Sequence, residues 1–293
     1  MAITVGLAGT GHRASDVYAP ALASCPGTRF AGIWAPRAHS ADLLSERYGV
    51  TAYERFEQLL DQCDAVAFAV PPAAQPDLAG AAVRRGKAVL LEVPIAADVT
   101  GAGELTVTAT AARAVTQIAL TWRYASAIRT FLSSSVPRIW PMGASARLFS
   151  ANLAPGAATR PWQAQMGVLL SLGPHLVDLL DAALGRVGEV RAHADPRGWV
   201  GMLLEHSDGR FSEVSLTAAA DVETPRADVE VFGSGGEAAI ECETAARQDD
   251  VETMLREFVQ AAEANRSHEL DVNRGLHLQR IVEEAGSSLL RTA

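Results

Sequence analysis

Residues 5–14 read Val5-Gly-Leu-Ala-Gly-Thr-Gly-His-Arg-Ala14, and the fold follows from how this stretch is flanked. The apolar run Ile3 to Ala8 leads into Gly9 and Gly11, and from Ser15 to Ser24 apolar residues (Val17, Ala21, Leu22) recur at helical spacing. Strand, glycine turn and helix in that order, with Ala14 completing a G-x-G-x-x-A pattern, predict a dinucleotide cradle. Gly9 permits the tight turn, Gly11 lets a pyrophosphate approach the backbone, and Ala14 allows close packing of helix on sheet. The positive helix end meanwhile faces the phosphates.

Outward from this turn the alternation continues. A second strand is expected over Phe30 to Ala35, a helix over Ser40 to Tyr48 and a short third strand near Thr51. A helix over Glu54 to Gln62, a strand over Ala65 to Val70, a helix over Pro76 to Arg85 and a strand over Ala88 to Glu92 follow. Strands separated by helices pair in parallel through right-handed crossovers, so about the first 120 residues predict a doubly wound Rossmann-type α/β domain. After Ala119 the pattern changes to strands at Ala144 to Ala151, Val187 to Ala194, Trp199 to His206, Phe211 to Ala218 and Ala227 to Gly233, with turn signals such as Ser207-Asp208-Gly209. Helices are expected at Leu169 to Leu184, Val251 to Ala264 and Leu276 to Leu290, and a mobile loop at Leu153 to Thr159. The whole reads as a domain over 1–120 and an α+β domain with a predominantly antiparallel sheet over 121–293.

The 293 residues, 48% hydrophobic and 20% charged, suffice for two buried cores. A net charge of -9 argues against nucleic acid or an anionic membrane as partner and for a small molecule. Cys25, Cys63 and Cys242 are odd in number and share no metal spacing, so neither a disulfide framework nor a metal site is expected. No apolar run reads as long enough to span a bilayer, no basic segment and h-region open the chain, and no G-x-S-x-G motif occurs; a soluble, cytoplasmic protein is expected.

An Asp or Glu at the end of the second strand would take the adenosine ribose hydroxyls. Here the stretch is Ile33-Trp-Ala-Pro-Arg-Ala-His39, with no acid, and with Arg37 free either to pair a 2′-phosphate or to remain an ordinary solvated residue. NADP over NAD is the expectation, with NAD possible.

VGLAGTG near the start, AVPP ending the fourth strand, GKAVLLEVP after the next helix and GVLLSLGPHLVDLL downstream together resemble the glucose-fructose oxidoreductase, inositol dehydrogenase and rhizopine-catabolism (Gfo/Idh/MocA) family. The likeness covers nearly the whole chain, including Asp271-Val-Asn-Arg-Gly-Leu-His-Leu-Gln-Arg280, similar to the family's final helix. It implies an NAD(P)-dependent oxidoreductase whose second domain binds substrate and oligomerises, one sheet face packing on a partner chain and the C-terminal helices packing back on the first domain. The cofactor set this implies is Gly9, Thr10, Gly11, His12 and Arg13, then Ala35 and Arg37, Val70 and Pro71, and Glu92, Val93 and Pro94.

Two family positions are altered. The family's Glu-Lys-Pro is Glu92-Val93-Pro94, and valine cannot polarise a reacting oxygen as an ammonium does. Lys87, in a surface turn, is no substitute. Its Asp-x-Gly-x-His-x-x-Asp is Ser171-Leu-Gly-Pro-His175-Leu-Val-Asp178. His175 is retained as general acid or base, against a merely hydrogen-bonded histidine, with Ser171 and Tyr124 as possible helpers; a helix start is expected at Gly173-Pro174. Asp178, Arg123 and Trp162 border the expected substrate site, Arg123 either as substrate binder or as ion-pair partner and Trp162 either at the site or as packing. The family's frequent His after the fourth strand is replaced by Gln75. His12 is expected near the cofactor, and His193, His206, His268 and His277 are read as incidental. Three functions compete: hydride transfer on a small carbonyl, imine, sugar or polyol; a nicotinamide-dependent oxidation, elimination and reduction of a glycoside without net redox change; and a degenerate nucleotide-binding regulator.

Overall fold

The computed structural model describes residues 2–151, 161–195, 197–245 and 248–291. The expected loop at 153–159 and the side chain of Trp162 lie outside the described residues. The chain forms two compact units, Met1–Leu120 with Gln248–Leu276, and Thr121–Arg247 with His277–Ala293.

In the first unit β1 (Ile3–Ala8), β2 (Thr28–Trp34), β3 (Thr51–Tyr53), β4 (Ala65–Phe68), β5 (Ala88–Leu91) and β6 (Thr116–Ile118) form one sheet in the order β3-β2-β1-β4-β5-β6. Every pair is parallel. β4 and β5 are buried along their whole length, as a sheet covered on both faces requires, which is why AVAF and AVLL are continuous apolar runs rather than alternating ones. The strand order reverses between β1 and β4, the crevice where such sheets bind ligands. Helix Val99–Ala111 and strand β6 have no counterpart in the sequence reading, because VTGAGELTVTATA is, apart from Glu104 and Leu105, small or β-branched and carries no clear polar stripe. Asp98 caps that helix, its carboxylate accepting from the Gly101 N–H at 2.8 Å. Helix Gln248–Glu263 buries Met254, Leu255, Phe258 and Val259, and the Met254 carbonyl accepts from Gln117 Nε2 at 2.9 Å.

The second unit begins with short helical turns at Thr121–Tyr124, Ser126–Thr130 and Val136–Arg138. Its sheet comprises β7 (Pro141–Phe149), β8 (Val187–Asp195), β9 (Trp199–His206), β10 (Phe211–Thr217), β11 (Arg226–Gly233) and β12 (Gly236–Glu241), in the order β12-β11-β7-β10-β9-β8. It is predominantly antiparallel, with β7 and β10 parallel. Residues alternate between a buried face (Ala146, Leu148, Met202, Leu204, Val214, Leu216, Val229, Val231) and an open one.

Helix Pro161–Leu184 packs on the buried face. It is broken at Gly167 (φ 69°, ψ 179°) and continues through Pro174, which corrects the expected start at Gly173-Pro174. A left-handed φ cannot continue a right-handed helix, whereas proline's φ fits one and removes a single N–H donor. The stretch Gly167–Leu184 also has the length and mean hydropathy (1.4) of a membrane span, but Ser171, His175, Asp178 and Asp181 interrupt its apolar run and 67% of it is buried inside the protein, so its apolarity serves the core.

Candidate active site

The glycine turn leaves β1 with Gly9 at φ 117°, where an added Cβ would lie 2.3 Å from the Ala69 carbonyl oxygen at the end of β4. Only glycine fits there. Gly11 faces open space, with no atom within 4 Å of an added Cβ, and the Ser15 N–H to Gly11 carbonyl bond (2.9 Å) starts the helix directly behind it. Open backbone at a helix N-terminus is the cradle a pyrophosphate needs, so these residues fit a bound dinucleotide. His12 is exposed and pairs with Asp16 (Nδ1 to Oδ2, 3.0 Å); Thr10 is half-buried.

The helix behind the turn contains a π-helical stretch, Ala14–Tyr18, a one-residue expansion common at functional sites. Tyr18, fully buried, donates its hydroxyl to Glu92 Oε1 at 2.6 Å, and Arg13 reaches the same oxygen with Nε (3.0 Å) and Nη2 (2.9 Å). Burial opposes the Arg13 charge, but the Glu92 carboxylate and the Tyr18 oxygen outweigh it and raise the guanidinium pKa. Burial, reinforced by the Glu92 charge, holds the Tyr18 phenol well above its ordinary value, so it stays a donor. Glu92 Oε2 has no protein partner among the described residues.

Gln75, fully buried, holds the turn that follows β5. Its Oε1 accepts from the Glu92 N–H (2.9 Å), and its Nε2 donates to the carbonyls of Glu92 (2.9 Å), Ile95 (3.1 Å) and Pro94 (3.4 Å). Val93 between them is half-buried and brings no polar atom beyond its backbone. Val70 and Ala35 are buried at the ends of their strands, whereas Pro71 is exposed. Arg37, one residue before helix Ala38–Tyr48, is exposed, and its guanidinium has no partner among the described residues.

The second unit carries its own polar cluster. The imidazole of His175, half-buried on helix Pro161–Leu184, lies 5.5 Å from the Trp122 ring, tilted by 60°. Arg123 Nη1 bonds both carboxylate oxygens of Asp178 (3.2 and 3.1 Å), and Asp178 is 1% exposed, so of the two readings of Arg123 the ion pair is the one observed. Tyr124 is 2% exposed beneath the Arg129 guanidinium (5.4 Å), and Ser171 donates its hydroxyl to the Gly167 carbonyl at 2.6 Å. Ser171 and His175 stand four residues apart on continuous helix and so share a face.

Three features escaped the sequence reading. Tyr18 is fully buried at helical spacing with Ala14, Ala21 and Leu22, on the face where the sequence reading took Val17, and its partner Glu92 lies 74 residues away. Gln75 read as a lost histidine, though a glutamine at the start of a helix after a strand is a plausible backbone clamp. Asp181, whose Oδ2 meets His277 Nε2 at 2.8 Å and whose Oδ1 accepts from the Val187 N–H at 2.6 Å, had a signal: a buried acid on an apolar helix requires a partner. His277 is thus a buried structural histidine rather than an incidental one. Among the described residues no three His, Cys, Asp or Glu side chains are grouped to hold a metal.

No curated protein matches the chain by sequence. Among solved structures, a myo-inositol dehydrogenase from Corynebacterium glutamicum superposes with a TM-score of 0.87 at 17% identity, covering 100% of this chain and 98% of its own. The UDP-N-acetylglucosamine 3-dehydrogenase GnnA from Acidithiobacillus ferrooxidans gives 0.86 at 19%, covering 99% and 98%. GenD2 from gentamicin A biosynthesis, in complex with NAD, gives 0.85 at 18%, covering 99% and 95%. These likenesses establish the fold. Residues 3–120 match the Gfo/Idh/MocA family model, described as an oxidoreductase family with an NAD-binding Rossmann fold.

Proposed function

We propose that this protein is an NADP-preferring oxidoreductase that transfers hydride to or from a small carbonyl, imine, sugar or polyol, with His175 as the proton-transferring group. The observation that carries the reading is the cradle at Gly9 and Gly11, together with the turn Glu92 to Ile95 that Gln75 holds through the Glu92 N–H and the Glu92, Pro94 and Ile95 carbonyls. A bound nicotinamide supplies or accepts the hydride. Residues from Gly9 to Arg13, with Ala35, Val70, Pro71 and Glu92 to Pro94, would hold the dinucleotide. Arg37 supports NADP because it is an exposed cation that follows a strand end lacking an acid.

His175 supports proton transfer because it is half-buried and an imidazole works as acid or base near neutral pH. Tyr124 is too enclosed to reach a substrate, and the Ser171 hydroxyl is directed to its own helix, so neither joins the proposed proton step. With Asp178 paired to Arg123, the pair orients this segment rather than offering a free cation. Lacking an ammonium at Val93 to stabilise the alkoxide that simple carbonyl reduction and alcohol oxidation share, the protein suits reduction of an imine or an activated carbonyl, which needs less polarisation of an oxygen.

Trp199, Leu203, Phe211 and Phe232 are 41–49% exposed on the open face of the second sheet, which supports self-association through that face. Three buried free thiols accord with a cytoplasmic setting. A second reading, a nucleotide-binding regulator without chemistry, is favoured by Val93 and by the self-satisfied Ser171. Parallel fluorescence titrations with NADPH and NADH test the proposal: tighter NADPH binding, followed by a net change in nicotinamide absorbance in a carbonyl and imine screen, is expected. Binding of neither dinucleotide would overturn it, and binding without turnover would favour the regulator.

A further inference from the structure

The sheet order places β2 and β5 on opposite sides of the reversal between β1 and β4. A dinucleotide lying across such a reversal puts its adenosine on the β2 side, so the turn after β5 faces its nicotinamide half. This rests on the proposed dinucleotide site. Within the first unit, that turn is held from three sides. Gln75 bonds the backbone of Glu92, Pro94 and Ile95; Arg13 and Tyr18 fix Glu92 Oε1; and Gly275 underlies Ile95 so closely that an added Cβ would fall 2.6 Å from Ile95 Cγ2.

We infer that Gln75 is a positioning residue for the nicotinamide half of the cofactor. A primary amide is suited to this task because it offers one acceptor for the Glu92 N–H and two donors for the carbonyls around the turn. Removed from water, those backbone groups have no other partner when the amide is lost, and the turn must shift to satisfy them. Such a shift moves the Glu92 carboxylate, whose Oε2 has no protein partner among the described residues, and the Val93 side chain beside it. The glycine turn and Arg37 lie outside this clamp, so the pyrophosphate and adenosine contacts stay in place.

The test compares two ligands on the full chain: NADPH, and 2′-phospho-ADP-ribose, which has every part of NADPH except the nicotinamide. Gln75→Met, of similar shape but without polar atoms, and Gln75→Glu, which keeps the acceptor and loses the donors, are titrated against wild type, with melting temperatures recorded alongside. The expected result is about tenfold weaker NADPH binding, roughly 1.4 kcal/mol, with 2′-phospho-ADP-ribose affinity within about twofold of wild type. Equal weakening of both ligands would make Gln75 a general scaffold residue and overturn the inference, as would unchanged NADPH binding. Should Gln75→Met fail to fold, Gln75→Glu decides by the same comparison. Failure of wild type to bind either ligand would instead remove the dinucleotide site itself, and the inference with it.

Discussion

Glu92 concentrates the local chemistry of the first unit: one carboxylate oxygen receives a phenol and a guanidinium, and the other remains open. Tyr18→Phe removes a buried charge-assisted bond, with an expected loss of about 1.5–3 kcal/mol in urea unfolding. Arg37→Ala is expected to weaken NADPH about tenfold and leave NADH within about twofold in parallel titrations; equal effects on both would refute a 2′-phosphate contact. His175→Ala is expected to lower turnover in whichever reaction the screen finds by about 100-fold or more, with dinucleotide affinity unchanged. At this scale the glycine positions, Glu92 and His175 were legible because each belongs to a short contiguous motif. The partners of Glu92 were not, since Arg13 and Tyr18 lie 79 and 74 residues away in sequence.

Elements decide which residues a motif can present. Helix Pro161–Leu184 puts Ser171, His175 and Asp178 on an unbroken segment because the break falls at Gly167 and not at Pro174. At the first turn, Gly9→Ala forces both a positive φ and a 2.3 Å approach to the Ala69 carbonyl, so the turn must rearrange. Loss of measurable dinucleotide binding is expected, with circular dichroism checking that the helices remain. Most strands and helices were visible from periodicity, with ends displaced by a few residues. Helix Val99–Ala111 and β6 were not, because small and β-branched residues leave no amphipathic stripe to read.

Across the molecule, two buried thiols make stability pH-dependent. Burial, only partly offset by Lys87, pushes Cys63 up to about 11; burial, with nearby carboxylates adding to it, pushes Cys242 up to about 12. An unfolded thiol ionises near pH 8.5. Their raised folded values therefore contribute stability that is complete below about pH 8.5 and lost as pH rises toward 11–12. Urea unfolding at pH 7.5 and 10 is expected to show the decline, and a Cys63→Ala, Cys242→Ala double variant a shallower one. The open sheet face gives a second expectation: Phe211→Glu should reduce the mass found by light scattering if copies associate there.

Local pattern alone marks the alternating first domain, the glycine turn and the later sheet. Each is written in neighbouring residues, through steric rules of the turn and hydrophobic periods of two or 3.6. The folded chain alone reveals that β7 and β10 pair in parallel, that Asp181 meets His277, and that Gln75 clamps the turn at Val93. Those outcomes depend on burial. Removed from water, a polar group must find a partner wherever the chain brings one, and no local pattern records which distant residue that is.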